Sequence, residues 1–212
     1  MYKRQRIGSL PDSYGLFSAY LLLKPGRIPY LNRNLYYFAG KDVWKTLFDL
    51  EAMRPGMVLL SAQAPDGDPA WCDVVTLMTP VATRPWEAWE GSVPGRRPEA
   101  YTALKAAMTQ ATVDFACARL PELRDAIAHT YAATPLTYRH YTGAPHGAAY
   151  GLLKDWRSIM ASHIPARTKF ENLLLTGQNL TVHGAIGVTL SAAATCSEIV
   201  GTEYLAKKIA NA

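Results

Sequence analysis

Apolar and polar positions change period several times along the chain, and each change marks an element. Tyr14 to Lys24, YGLFSAYLLLK, is aliphatic and aromatic and stops at Pro25-Gly26, which predicts a strand ending in a turn. Arg27 to Asn34 reads as a loop around Pro29, and Asn34 to Ala39 as a second strand. From Lys41 to Glu51 the spacing becomes helical: Val43, Trp44, Leu47, Phe48 and Leu50 recur until Arg54-Pro55-Gly56 breaks the run. Met57 to Gln63 and Asp73 to Thr79 predict two more strands, separated by the turn-rich PDGDPAW of Pro65 to Trp71. Pro85 to Glu90 predicts a short helix with Trp86 and Trp89 on one face. Core packing accounts for the two indoles, and the alternative is the wall of an apolar site. Beyond the loop Gly91 to Pro98 lies the longest helical pattern, Glu99 to Leu120, striped by Leu104, Met108, Ala111 and Phe115 and stopped by Pro121. A shorter helix starts at Pro121, and the run carries on to Thr134-Pro135, where the residue before proline turns extended.

The last third of the chain is richer in glycine and tyrosine. Tyr131, Tyr138, Tyr141 and Tyr150 alternate there with Arg139, His140 and His146, while Gly143, Gly147 and Gly151 recur every four residues. Such glycines suit backbone lying against a planar ligand or another segment. Lys154 to Arg167 reads as a linker with one amphipathic turn around Trp156, Ile159 and Met160. Leu173 to Leu175 is an uncharged run of the kind found in strands buried on both faces. Gly177 turns the chain, Gly184 and Gly187 flank Ala185 and Ile186, and a small-residue helix follows from Val188 towards Lys207 and Lys208. Its positive end faces the loop, where free amides suit an anion.

Composition narrows the classes. The hydrophobic share is 49% and the charged share 18%, which indicates a packed globule. The net charge of +5 is mild and no evidence for nucleic-acid binding. Part of it sits in Lys3, Arg4 and Arg6, read as a solvated terminus or, more sharply, as attraction to an anionic membrane surface. Arg96 and Arg97 make a second basic point in a loop. Cys72, Cys117 and Cys196 form no C-x-x-C, so reduced thiols in a cytoplasmic setting are expected. The spacing of His140, His146 and His183 fits no zinc pattern, and no metal site is expected. No nucleophile and base are paired, Glu87 and Glu90 read as a solvated face, and no catalytic residue can be singled out. No segment approaches about 20 apolar residues, so no membrane-spanning helix is expected.

Two stretches carry a family resemblance. TGQNLTVHGAIGVTLSA, from Thr176, resembles the C-terminal flavin-contacting segment of the phytoene desaturase, carotenoid isomerase and retinol saturase family of FAD-dependent oxidoreductases. ATPLTYRHYTGAPHGAAYGL, Ala133 to Leu152, resembles the segment just upstream of it. The two occur in the family's order, and weaker similarity reaches back to about Ser9. The resemblance implies FAD as cofactor, with contacts at Gly177, Gln178, Asn179, His183, Gly184, Ala185, Ile186 and Gly187. It implies a substrate channel bordered by Tyr138, Tyr141 and Tyr150, and an apolar polyene, retinoid or carotenoid-like, whose carbon–carbon double bonds are the site of reaction.

Such enzymes open with a G-x-G-x-x-G turn that holds the pyrophosphate. None of the fifteen glycines stands two residues from another, so that turn is absent from these 212 residues. The expected fold is therefore α+β. It comprises a mostly antiparallel substrate-domain sheet with helices over residues 1–153, then a linker and one strand and helix of a Rossmann-like FAD domain over residues 154–212. The chain reads as a C-terminal fragment or a separately encoded half-enzyme, inactive without an N-terminal FAD-binding chain or domain. The alternative is a non-catalytic module that binds an apolar ligand or a partner. Peripheral membrane contact is compatible with either.

Overall fold

The computed structural model describes residues 2–67 and 70–211. Asp68 and Pro69 of the PDGDPAW loop lie outside the described residues, as do the side chains of Lys3, Arg4 and Phe48. The chain divides into two compact units, Tyr14–Ala149, and Met1–Ser13 with Tyr150–Ala212. The first helix, α1 (Tyr2–Gly8), belongs to the latter.

The Tyr14–Ala149 unit is built on five antiparallel strands: β1 (Gly15–Leu23), β2 (Leu35–Phe38), β3 (Met57–Gln63), β4 (Val74–Val81) and β5 (Ile127–Ala133), in the order β2-β3-β4-β1-β5. Helix α2 (Val43–Phe48) follows β2, and Asp42 caps it by accepting from the Lys45 amide at 3.0 Å. Helix α3 (Arg84–Glu87) follows β4. Helices α4 (Glu99–Cys117) and α5 (Glu122–Ala126) lead into β5. Strand alternation sends Ala19, Leu21, Val58, Leu60, Val75 and Leu77 to one face. There they pack with Val113, Ala116 and Cys117 of α4 and Leu123 and Ala126 of α5. A second cluster joins Phe17, Val81, Trp86, Tyr101, Met108 and Leu136, with Trp89 partly buried against it, so the two indoles are core residues. The buried stripe of α4 is Tyr101, Met108, Thr112, Val113, Ala116 and Cys117. Of the stripe predicted from sequence only Met108 is fully buried.

Two elements differ from the sequence reading. The helix at Pro121 does not run on to Thr134: Ile127 turns extended and residues 127–133 form β5 on the free side of β1, with Tyr20 opposite Tyr131. His129, Thr130 and Tyr131 suit a pleated surface better than a helix, and β1 offers the backbone partners. The glycine-rich connection after it contains α6 (Pro135–Thr142). A capping box at Thr134 and Thr137 opens this helix, and Gly143, at φ 70°, closes it.

In the Met1–Ser13 and Tyr150–Ala212 unit, Leu152, Ile164 and Leu180 form a small core with Ile7, Leu10, Ala166 and Leu175 around it. Arg6 of α1 is exposed, and it also donates to the carbonyls of Met160, Ala161 and His163 at 3.0–3.2 Å, which ties α1 to the end of α7 (Ile159–Ser162). Trp156, Ile159 and Met160 of the predicted amphipathic turn are exposed. Two corrections fall on the C-terminal corner. Leu173 to Leu175 is not a buried strand; Leu173 is 48% exposed, and the stretch pairs through a single bridge, Leu174 with Arg167. A both-faces-buried strand needs a paired strand on either side, and among the described residues this stretch has only that one bridge. The final helix is two, α8 (Gly184–Val200) and α9 (Thr202–Ala210), parted at Gly201 with φ 86°. Among the described residues no helix is long and apolar enough to cross a membrane.

Candidate functional site

The sheet is covered unequally. The face opposite α4 carries Tyr36 of β2, Leu59 of β3, Met78 of β4, Ser18 and Tyr20 of β1 and Tyr131 of β5. The register sets these in two rows, Tyr36–Leu59–Met78–Ser18 and Thr76–Tyr20–Tyr131. Ser18 and Thr76 are buried, Leu59, Met78 and Tyr20 are half-buried, and Tyr36 and Tyr131 are exposed. The result is an aromatic and aliphatic surface with hydroxyls at its centre. Tyr138 of α6 reaches into it: its phenol and the Ser18 hydroxyl lie 2.6 Å apart, with the Tyr20 hydroxyl also bonding to it. Burial pushes the Tyr138 phenol up to about 12, so it stays a neutral hydroxyl.

The other groups singled out around Thr134–Leu152 are mostly occupied by protein. A Cβ on Gly147 would strike the Pro135 carbonyl, and one on Gly151 would strike the Asn179 side chain; both have positive φ. Gly147 and Gly151 accommodate the chain's own segments, the second of the two alternatives that their spacing left open. Arg139 pairs with Glu90 at 3.4 Å, and His146 lies 2.9 Å from the same carboxylate and 3.8 Å from Glu87. Glu87 and Glu90 are thus anchors, not a free solvated face. Tyr141 is 80% exposed on α6, away from the Ser18 cluster, and borders a groove with His140 and Arg97.

In the C-terminal unit the predicted flavin loop is built from inside the chain. The Ser191 hydroxyl donates to the Gly177 carbonyl at 2.9 Å and Thr195 to the Leu175 carbonyl at 2.9 Å, which seats α8 against residues 175–177. The Asn179 side chain accepts from the Leu152 amide at 3.0 Å. Lys154 donates to the carbonyls of Ser162 and Asn179, each at 2.8 Å, and burial lowers the pKa of its ammonium. Tyr150 stacks on His183 at 4.3 Å, so two residues predicted for different roles meet. His183 is the N-cap of α8 and makes no side-chain cap.

Those contacts separate the eight predicted cofactor residues. Asn179 is engaged internally, and Gly187 is buried where a Cβ would strike the Val182 carbonyl. Gly177, with φ 109°, and Gly184, with φ 80°, face open space. No acceptor is found among the described residues for the first-turn amides of Gly184, Ala185 and Ile186. An open glycine turn beside uncapped helix amides fits one edge of a flavin or its phosphates; the pyrophosphate turn itself is not among these residues. Of α8 only Gly187 and Ser191 are buried, while Ile186, Val188, Leu190, Ile199 and Val200 are exposed. Among the described residues no cluster of His, Cys, Asp and Glu could hold a metal.

No family model matches the chain. Individual proteins do. A Homo sapiens protein named all-trans-retinol 13,14-reductase is 26% identical over 215 aligned positions, which cover 93% of this chain and 35% of that protein. The Rattus norvegicus protein of the same name is 31% identical over 143 positions, 63% of this chain and 23% of that protein. A Danio rerio protein named inactive all-trans-retinol 13,14-reductase is 30% identical over 104 positions, 48% of this chain. The similarity to the human protein runs along nearly all of the chain, in agreement with the resemblance read from its motifs, and the chain spans 35% of the length of that relative.

Proposed function

We propose that these residues form the substrate-side wall and the cofactor-closing corner of an FAD-dependent oxidoreductase that acts on a carbon–carbon double bond of a retinoid-like polyene. A dinucleotide-binding domain or chain supplies the G-x-G-x-x-G half of the cofactor site. The observation that carries the reading is the bare corner: an apolar leucine run with one bridge and an apolar helix with only two buried residues. A helix that exposes Ile186, Val188, Leu190, Ile199 and Val200 offers an apolar surface suited to cover, and uncharged runs of this kind belong in parallel sheets. A Rossmann-like layer placed against α8 and Leu173–Leu175 provides both kinds of cover.

Within that assembly, backbone at Gly177, Gln178, Gly184, Ala185 and Ile186 borders FAD, while Asn179 and Gly187 fix the shape of the loop. His183, held by Tyr150, lies at the edge of the same turn. When bound, FAD supplies hydride exchange with the double bond. The protein's own part is to hold the polyene along the Tyr36–Leu59–Met78 face, exclude water there and keep the Tyr138 phenol neutral. Titration with all-trans-retinol, followed by retinol fluorescence, tests the apolar face. Met78→Asp is expected to weaken binding at least tenfold, and unchanged binding in a folded variant contradicts the assignment.

A second reading is a non-catalytic module that keeps the apolar ligand but not the redox chemistry. The relative named as inactive favours it. Retinol binding without flavin retention in any combination of chains selects this reading.

A further inference from the structure

We infer that the groove between the start of α4 and α6 is a binding site for an organic phosphate, separate from the apolar face of the sheet. The groove has a volume of about 310 Å³. Three elements bring its groups together. The loop before α4 supplies Arg97. The first turns of α4 supply Tyr101 and Lys105, four residues apart and so on one face. Helix α6 supplies Thr137, His140 and Tyr141 by the same spacing.

Arg97 is the centre. Its guanidinium lies over the Tyr101 ring, 4.6 Å from the centroid. That ring is itself fixed, since its hydroxyl lies 2.9 Å from the Thr134 hydroxyl. Of the two terminal nitrogens, one makes only a long contact of 3.5 Å to the Leu136 carbonyl, and the other, Nη1, is buried without an acceptor. A buried guanidinium donor without a partner costs more than an ordinary unmade bond, and a bound anion is one way to satisfy it. A small turn of the planar fork into the groove gives it the paired oxygens of a phosphate.

The charged side chains that line the groove, Arg97 and Lys105, are both cationic. Lys105 has no carboxylate partner among the described residues. The nearest acid in the adjoining recess, Glu90, is committed to Arg139 and His146. Two cations, an imidazole and the Thr137 hydroxyl suit a dianionic phosphate monoester better than a single carboxylate. The exposed ring of Tyr141 gives an organic substituent a surface on which to lie.

The test is calorimetric titration of the whole chain with phenyl phosphate, with phenol as control, and flotation with phosphatidylcholine vesicles with and without phosphatidic acid. Phenyl phosphate is expected to bind and phenol not to. Arg97→Gln and Lys105→Gln should each weaken binding at least tenfold. Lys105 is in no core cluster, so its variant keeps the test open if Arg97→Gln unfolds. Binding only to phosphatidic-acid vesicles, lost in the same variants, also supports the phosphate site and assigns its source to a lipid. Absence of binding to all phosphate probes, or equal binding by folded variants, overturns it. Neither outcome bears on flavin retention, so this site and the redox reading stand or fall separately.

Discussion

Tyr138 is the best-defined polar residue on the candidate substrate face. Its hydroxyl is the partner of Ser18, which is fully buried, so Tyr138→Phe leaves that hydroxyl short of a bond and should cost about 1–2 kcal/mol in urea unfolding. The phenol's pKa is raised in the fold to about 12 from an ordinary 10.0, so the folded state holds this proton more tightly than the unfolded state. Stability from this group is complete below the unfolded value and falls as pH rises towards the folded one. Tyr138→Phe should therefore flatten the alkaline loss of stability across that window. Glycine chemistry at the C-terminal corner makes a second residue-level prediction. Gly187→Ala drives a Cβ into the Val182 carbonyl and should destabilise by about 1–3 kcal/mol. Gly184→Ala meets no atom and pays only for its positive φ, about 1 kcal/mol. Thermal melts of the two variants, compared side by side, check that order.

Among the elements, the segment following Tyr150 depends on one cation. Lys154 bridges residues 162 and 179 through two short carbonyl contacts, and Lys154→Met should loosen the loop, with a loss of about 1–2 kcal/mol and faster amide exchange at Leu180. The strands β1 to β4 could be read from the chain because their alternation, their turns and their burial agree. Strand β5 could not. Its three alanines favour helix while Ile127, Thr130 and Tyr131 favour strand, and the deciding term is the free edge of β1, a partner more than a hundred positions away. Helix α6 left a local mark in Thr134-Pro135 and Thr137, but the glycines after it drew the reading towards a ligand. Gly147 and Gly151 are needed because Pro135 and Asn179 press on them, and no periodicity reports that. The leucine run shows the reverse case. Its composition states a preference for neighbours on both sides that the described residues do not satisfy. In the same way, Arg97 read as a loop charge until the fold laid it on Tyr101.

At the scale of the whole chain, two compact units hold three surfaces of different chemistry. One unit presents an apolar sheet face, with a cationic groove elsewhere on it; the other presents an open glycine turn and a bare apolar helix. Homology to all-trans-retinol 13,14-reductases runs through both units, since the human alignment covers 93% of the chain. The central proposal is that the turn is one side of a flavin site whose pyrophosphate-binding side lies in another domain or chain. The direct measurement is flavin absorbance of the purified 212-residue protein after loading with FAD and desalting, alone and with a companion bearing the G-x-G-x-x-G turn. The account predicts a colourless protein alone and a retained flavin spectrum with the companion. A stable flavin spectrum from the 212 residues alone contradicts it.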